Sequence, residues 1–219
     1  MTDIKEYITN DYQAIHSGET IAVVQDFFED INFSHFPVLD EGIYIGSVSA
    51  ADIETFDGAK TIADYRYTLD GFFARNNMIW LNVLEVFAKN QTNLVPVLDE
   101  TNLYVGYYEI EDIIKFFHET PFLKEQGGII VVRKSAIDYS MSQITQIVES
   151  NNGKLLGLFI SDADVESVEV TVKISLGAMN EIIQTFRRYN YEIISEHQDD
   201  KYINSLKERS DYLDKYLNI

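Results

Sequence analysis

A chain of 219 residues that is 46% hydrophobic and 13% aromatic can bury a real core as one large domain or two small ones, which excludes general disorder. Its 36 acids against 17 bases give a net charge of −19, a balance that repels phosphate backbones and anionic lipid and argues against nucleic-acid or membrane partners. With no cysteine there is no disulfide framework, no thiolate nucleophile and no cysteine-based zinc site. Met1 to Asp11 already carries Asp3, Lys5, Glu6 and Asp11, so no apolar leader is expected. The longest strongly apolar stretch, Leu155 to Ile160, is far short of a membrane span, and a cytoplasmic protein is the expectation.

Thr20 stands at an N-cap position ahead of Ile21, Val24, Phe27, Phe28 and Ile31, which share one helical face. Phe36 to Leu39 reads as a buried strand, Asp40-Glu41-Gly42 as a hairpin turn, and Ile43 to Val48 as the partner strand. A short helix follows from about Ala50 to Phe56. The pattern then returns: a helix over Trp80 to Lys89, strands over Leu94 to Leu98 and Leu103 to Tyr108, and a helix from about Ile110 to His118. Thr120-Pro121 closes it, since proline disfavours helix in the residue before it.

The recurrence is a sequence repeat. Pro37-Val38-Leu39-Asp40-Glu41 returns as Pro96-Val97-Leu98-Asp99-Glu100, and Tyr44-Ile45-Gly46 answers to Tyr104-Val105-Gly106. The offset is 59 at the prolines and 60 at the glycines, which predicts one extra loop residue in the second copy. One supersecondary unit used twice lets each copy cover the other's exposed face and leaves a cleft between them. Residues 1–124 hold 21 acids and 7 bases, so this half is the more acidic.

Beyond Gly127-Gly128 the order changes to a strand over Ile129 to Arg133, a helix over Ser140 to Asn151 and a strand over Lys154 to Ser161. Val168, Val170, Val172, Ile174 and Leu176 alternate with polar residues as a half-buried strand, read as an edge that invites pairing. Met179, Ile182, Ile183 and Phe186 follow amphipathic helical spacing, and Tyr191 to Ser195 supplies a last strand. The resulting βαββαβ order is ferredoxin-like. Ile203, Leu206, Leu213 and Leu217 predict a helical tail over 199–219, docked elsewhere or on a partner chain.

The repeats resemble CBS domains, whose pattern is an apolar residue before Pro-Val, an acidic turn, then Gly-apolar-apolar-Ser/Thr-x-x-Asp. The first copy reads Phe36-Pro37-Val38-Leu39-Asp40 and then Gly46-Ser47-Val48-Ser49-Ala50-Ala51-Asp52. The second reads Val95-Pro96-Val97-Leu98-Asp99 and then Gly106-Tyr107-Tyr108-Glu109-Ile110-Glu111-Asp112. Residues 127–197 resemble an ACT domain by topology, and the combination is similar to CBS–ACT regulatory proteins of the acetoin-utilisation type. The implied fold is α+β: a CBS pair (a Bateman module) of two βαββα-like repeats, about 1–66 and 67–124, then an ACT-like domain over 125–198.

The resemblance implies a regulatory sensor that takes an adenosine compound, such as AMP, between the repeats. Asp52 and Asp112 would accept from ribose hydroxyls, Ser49 would donate to a phosphate or ribose, and backbone near Phe36, Pro37, Val95 and Pro96 would frame the base. Glu109 departs from the pattern, because a carboxylate there repels phosphate and cannot donate when ionised. Ser49-x-x-Asp52 is equally a helix-capping signal, and Asp112 near a helix start can serve the same purpose. Asp138 in the first strand-to-helix turn matches effector-binding ACT members, although no glycine follows it.

Catalysis has little support. His16, His35, His118 and His197 are scattered, no metal-binding histidine pair or nucleophile motif is present, and pairs such as Asp199-Asp200 are adjacent and so diverge. The expectation is a non-enzymatic homodimer without metal or cofactor, acting on an unidentified partner. A scaffold with no small-molecule ligand, dimerising through the ACT-like domain, is the rival.

Overall fold

The structure is a computed structural model that describes residues 3–175, 177 and 179–195. The predicted tail, together with Leu176, His197 and Asp199-Asp200, lies outside the described residues. The chain divides into two compact units, the first ending at Phe117 and the second beginning at His118.

In the first unit each repeat runs β-α-β-β-α. Repeat one comprises β1 (Ile15–His16), α1 (Ile21–Asp30), β2 (His35–Asp40), β3 (Ile43–Ser49) and α2 (Ala50–Ile53). Repeat two comprises β4 (Ala74–Arg75), α3 (Trp80–Asn90), β5 (Leu94–Leu98), β6 (Tyr104–Glu109) and α4 (Ile110–His118). Each sheet is three-stranded, ordered β1-β2-β3 and β4-β5-β6, with the short leading strand parallel to its neighbour. Those leading strands, two residues each, carry too little pattern to be read from sequence. Proline is tolerated at 37 and 96 because parallel pairing begins only at Val38 and Val97, so no ladder bond needs its missing N–H.

α1 buries Ile21 and Val24, with Phe27, Phe28 and Ile31 packed on the same core, as the spacing requires. α2 ends at Ile53, short of the expected Phe56. Gln25 Nε2 reaches across from α1 to the carbonyls of Ile53 and Phe56, at 2.8 and 3.3 Å. The hairpins differ by the predicted residue. Glu41 and Gly42, at φ 47° and 82°, make the first turn. In the second, Asp99 Oδ1 accepts from the backbone N–H groups of Thr101 and Leu103, at 2.8 and 2.9 Å, and Asn102 takes φ 68°.

The repeats share one register. Val38 pairs with Gly46 and Val97 with Gly106, and a bulge follows each valine. They interlock about an approximate two-fold axis. Thr9 exchanges backbone hydrogen bonds with Tyr107 at 3.0 and 2.9 Å, while Asp70 exchanges two of 2.8 Å with Ser47. The segment preceding each repeat therefore crosses the other repeat's last strand. Gly46 and Gly106 sit beneath the crossings at φ 140° and 141°. A Cβ at Gly46 would fall 2.8 Å from Leu69 Cβ, and one at Gly106 would fall 2.4 Å from Thr9 O. Ser34 and Asn93, also 59 apart, meet on the axis: Ser34 N donates to Asn93 Oδ1 at 2.8 Å and Asn93 N to Ser34 Oγ at 3.2 Å.

The cores interlock as well. Leu94 and Tyr107 of repeat two complete the core around Phe36, Val38 and Val48, and Ile4 and Phe72 complete the one around Val83, Val95 and Tyr108. Neither repeat closes its core alone.

The second unit opens with α5 (Pro121–Lys124) and continues as β7 (Gly127–Ser135), α6 (Met141–Ser150), β8 (Leu155–Ala163), β9 (Ser167–Ser175), α7 (Met179–Arg188) and β10 (Glu192–Ile193). Its four strands are ordered β10-β7-β9-β8 and all antiparallel, the ferredoxin-like arrangement. Val168, Val170, Val172 and Ile174 face Ile144, Ile147, Val148, Ile182, Ile183 and Phe186. The Val168 strand is not an edge. It is hydrogen-bonded to β7 and β8 on its two sides, and the outer strands of the sheet are β8 and β10. Alternation reports which face is buried, not which strand lies outermost.

Candidate functional site

The first half-site is built at the end of β3. Ser49 leaves the strand in extended conformation, and its Oγ accepts from Asp52 N at 3.1 Å, which caps α2. The capping reading of Ser49 is thus correct, and among the described residues no acceptor takes its hydroxyl proton, which can be donated. Asp52 is half-buried, and no hydrogen bond or ion pair reaches its carboxylate among the described residues. Antiparallel register sets His35 directly opposite Ser49, on the same face of the hairpin.

His35 is held on three sides. Its Nε2 lies 3.4 Å from Asp70 Oδ2, its Nδ1 is 3.0 Å from Ser34 Oγ, and its ring stands edge-on to Phe72 with centroids 5.4 Å apart. Burial lowers its pKa, and the charges of Asp70 and Asp52 only partly offset that. Sequence reasoning missed His35 and Asp70. His35 becomes visible once strand register is counted back from the turn; Asp70 arrives through the chain crossing, which leaves no local signal.

The nearby bases are committed elsewhere. Arg66 lies 3.5 Å from Asp40, Lys60 sits over the Tyr65 ring, and Arg75 binds the Asp99 carbonyl and Asn102. Lys89 pairs with Glu85 at 2.6 Å. Phe36, Pro37, Val95 and Pro96 are all buried, so what they offer the cleft is backbone.

The second half-site has the same backbone and different chemistry. Leu94 stands opposite Glu109, the counterparts of His35 and Ser49. Asp112, third in its helix like Asp52, is tied to Lys115 at 2.8 Å. Burial raises the Glu109 pKa, helped by Asp112, Glu111 and Asp11 and opposed by Lys115. A cavity of about 250 Å³ here is lined by Tyr12, Phe33, Asn93, Glu109 and Glu111. Tyr107, where repeat one has Ser47, fills the adjoining space with its ring centroid 5.8 Å from Phe33 and 5.7 Å from Phe36. Tyr44 shows the contrast: its hydroxyl donates to Phe72 O at 2.7 Å and meets Ser47 Oγ at 3.0 Å. The hydroxyl of its counterpart Tyr104 is buried without a partner among the described residues.

In the second unit Asp138 accepts from Ser135 Oγ at 2.7 Å and lines a polar groove with Lys134, Ser140, Gln143 and Asn190. Lys134 is itself bonded to Gln143 Oε1 and Tyr189 O, both at 3.0 Å. Among the described residues no group of three His, Cys, Asp or Glu could hold a metal ion, and no helix is long and apolar enough to cross a membrane.

Residues 4–56 match the family model described as "CBS domain". Since the second repeat reproduces the first in strand order, register and bulge, the first unit is a tandem pair of CBS repeats. An inosine-5'-monophosphate dehydrogenase from Methanocaldococcus jannaschii is 20% identical over 147 residues, covering 66% of this chain and 29% of that protein. The chain thus spans less than a third of that curated relative. A CBS domain pair/ACT domain protein from Thermotoga maritima matches in structure at a TM-score of 0.49 and 21% identity, over 54% of this chain and 98% of that one. The CBS domain of a bacterial CNNM/CorC family Mg2+ transporter in complex with ATP matches at 0.44 and 22% identity, over 52% and 85%.

Proposed function

We propose that the protein is a non-enzymatic regulatory sensor that binds an adenosine compound in the cleft between its CBS repeats, at the first half-site. The observation that carries this is Asp52. It is a half-buried carboxylate with no hydrogen-bond partner among the described residues, one helical turn from a capping serine whose hydroxyl can still donate. A carboxylate can accept from both hydroxyls of a ribose, and the strand backbone offers hydrogen-bonding groups to the edge of a base. The ligand is a nucleoside or monophosphate such as AMP rather than ATP. Triphosphates need several charge-assisted contacts, and Arg66, Lys89 and Lys115 are already paired. Binding would act by favouring one arrangement of the repeats and so altering an unidentified partner protein.

A second reading has its own observation. Tyr12, Phe33 and Tyr107 pack together at the second half-site and leave a cavity of only about 250 Å³ there, and a scaffold whose cleft is closed by side chains would carry such packing further on both sides. Thermal denaturation with adenosine, AMP and ATP separates the two: a rise in Tm with AMP or adenosine supports the sensor, and none with any of them supports the scaffold. We also propose that the ferredoxin-like unit is an ACT-like dimerising domain in a cytoplasmic homodimer, with Asp138 at an effector groove. The edge strand β8 leaves Phe159 and Ile160 exposed, and light scattering that finds only monomer at high micromolar concentration would refute the dimer.

A further inference from the structure

We propose that His35 makes anion recognition at the first half-site proton-linked, so that a phosphate-bearing ligand binds together with a proton taken up by this imidazole. The inference rests on reading that half-site as the ligand cleft. Strand register sets His35 opposite Ser49 on the same face of the hairpin, and its side chain is only 15% exposed, so a phosphate accepted by Ser49 comes near the ring in a partly water-excluded space. Arg66, Lys60, Arg75, Lys89 and Lys115 each have a partner elsewhere. Leu94 stands at the matching position of repeat two, so this capacity belongs to repeat one alone.

The groups facing the ring set the sign. Asp70 approaches from the segment between repeats and Asp52 from α2, while the Ser34 hydroxyl and the Phe72 ring complete its surroundings. Burial outweighs the two carboxylates, so the free ring favours the neutral form. A bound phosphate brings further negative charge and raises the ring's proton affinity; by reciprocity, protonation raises affinity for the phosphate. Affinity for such a ligand therefore rises as pH falls through the pKa of the ligated ring, and levels off below that of the free ring. A nucleoside lacking phosphate produces no such slope.

Titration calorimetry of the full chain with AMP and with adenosine, from pH 8 to 5.5 and in two buffers of different ionisation enthalpy, is the test. AMP affinity should rise by about tenfold for each unit by which binding raises the ring's pKa, with proton uptake, while adenosine affinity stays level. AMP's own phosphate titrates near pH 6 and works the other way; the His35→Gln variant, in which the rise should vanish, reports that background. If His35→Gln fails to fold, NMR titration of the wild-type imidazole with and without saturating AMP gives the answer, with an upward shift expected. AMP binding without proton uptake, or an unmoved ring, overturns the proposal. Adenosine binding without AMP binding overturns it while leaving the cleft reading intact, and failure of both ligands to bind removes both.

Discussion

Half-site one opposes His35 to Ser49 across β2 and β3, and half-site two opposes Leu94 to Glu109 across β5 and β6, on backbones of the same register. Duplication preserved what the backbone demands: the proline ahead of the parallel pairing, the glycine under the crossing chain, and the carboxylate at the third helical residue. It did not preserve the surrounding chemistry. One side keeps a hydroxyl, a carboxylate without a hydrogen-bond partner among the described residues and a titratable ring, while the other holds a half-buried acid, an ion-paired acid and a cavity narrowed by aromatic rings. Symmetric folding and asymmetric chemistry are therefore separable properties of this pair.

The glycines test the shared part and should show the largest effects. Gly106→Ala places a methyl group 2.4 Å from Thr9 O at φ 141°, and should cost about 3 kcal/mol in chemical denaturation. Gly46→Ala, whose closest contact is a side-chain atom at 2.8 Å, should cost about 2 kcal/mol. Two changes below about 0.5 kcal/mol would mean the crossings are not tight.

The carboxylates test the difference. Asp52→Ala should weaken adenosine-ligand binding by about 2 kcal/mol, roughly thirtyfold, the worth of hydrogen bonds to a charged group. Asp112→Ala should change it by less than about threefold, and an equal loss in both would erase the distinction. On the axis between them, Asn93→Ala removes the acceptor of Ser34 N and should cost about 1–2 kcal/mol of stability by thermal or urea unfolding, with a null result arguing against the axial contact.

The smallest effect concerns Glu109. Its folded-state pKa is raised, first by burial, so the folded form prefers it protonated and loses stability as pH rises through the carboxylate range. Glu109→Gln should therefore stabilise the protein at pH 7 by about 0.5 kcal/mol after allowance for solvent screening, and the gain should disappear towards pH 4. A loss of stability at pH 7 would show that the carboxylate has a favourable partner.

Much of this was legible from residues. Pro-Val-Leu-Asp-Glu recurring at a fixed offset announced the duplicated unit, and the one-residue change of offset located the longer second turn. The periodic faces of α1 and α7 fell where their buried residues lie. Hydrogen bonding over two residues, as in β1 and β4, leaves no periodicity to detect. The edge assignment for the Val168 strand failed because a sheet's order is set by which segments pair, which alternation does not encode. The departure at Glu109 was visible in sequence, whereas the His35–Asp70 contact required the chain crossing. Tyr107 shows the same limit: a tyrosine following glycine gives no hint that its ring completes a core built mainly by the other repeat.

The asymmetry itself is tested most directly by calorimetric titration of AMP into the wild-type chain and into Asp52→Ala at one pH. One site per chain is expected in the wild type, with loss of most binding in the variant. Two equivalent sites per chain, or wild-type affinity in Asp52→Ala, would contradict it.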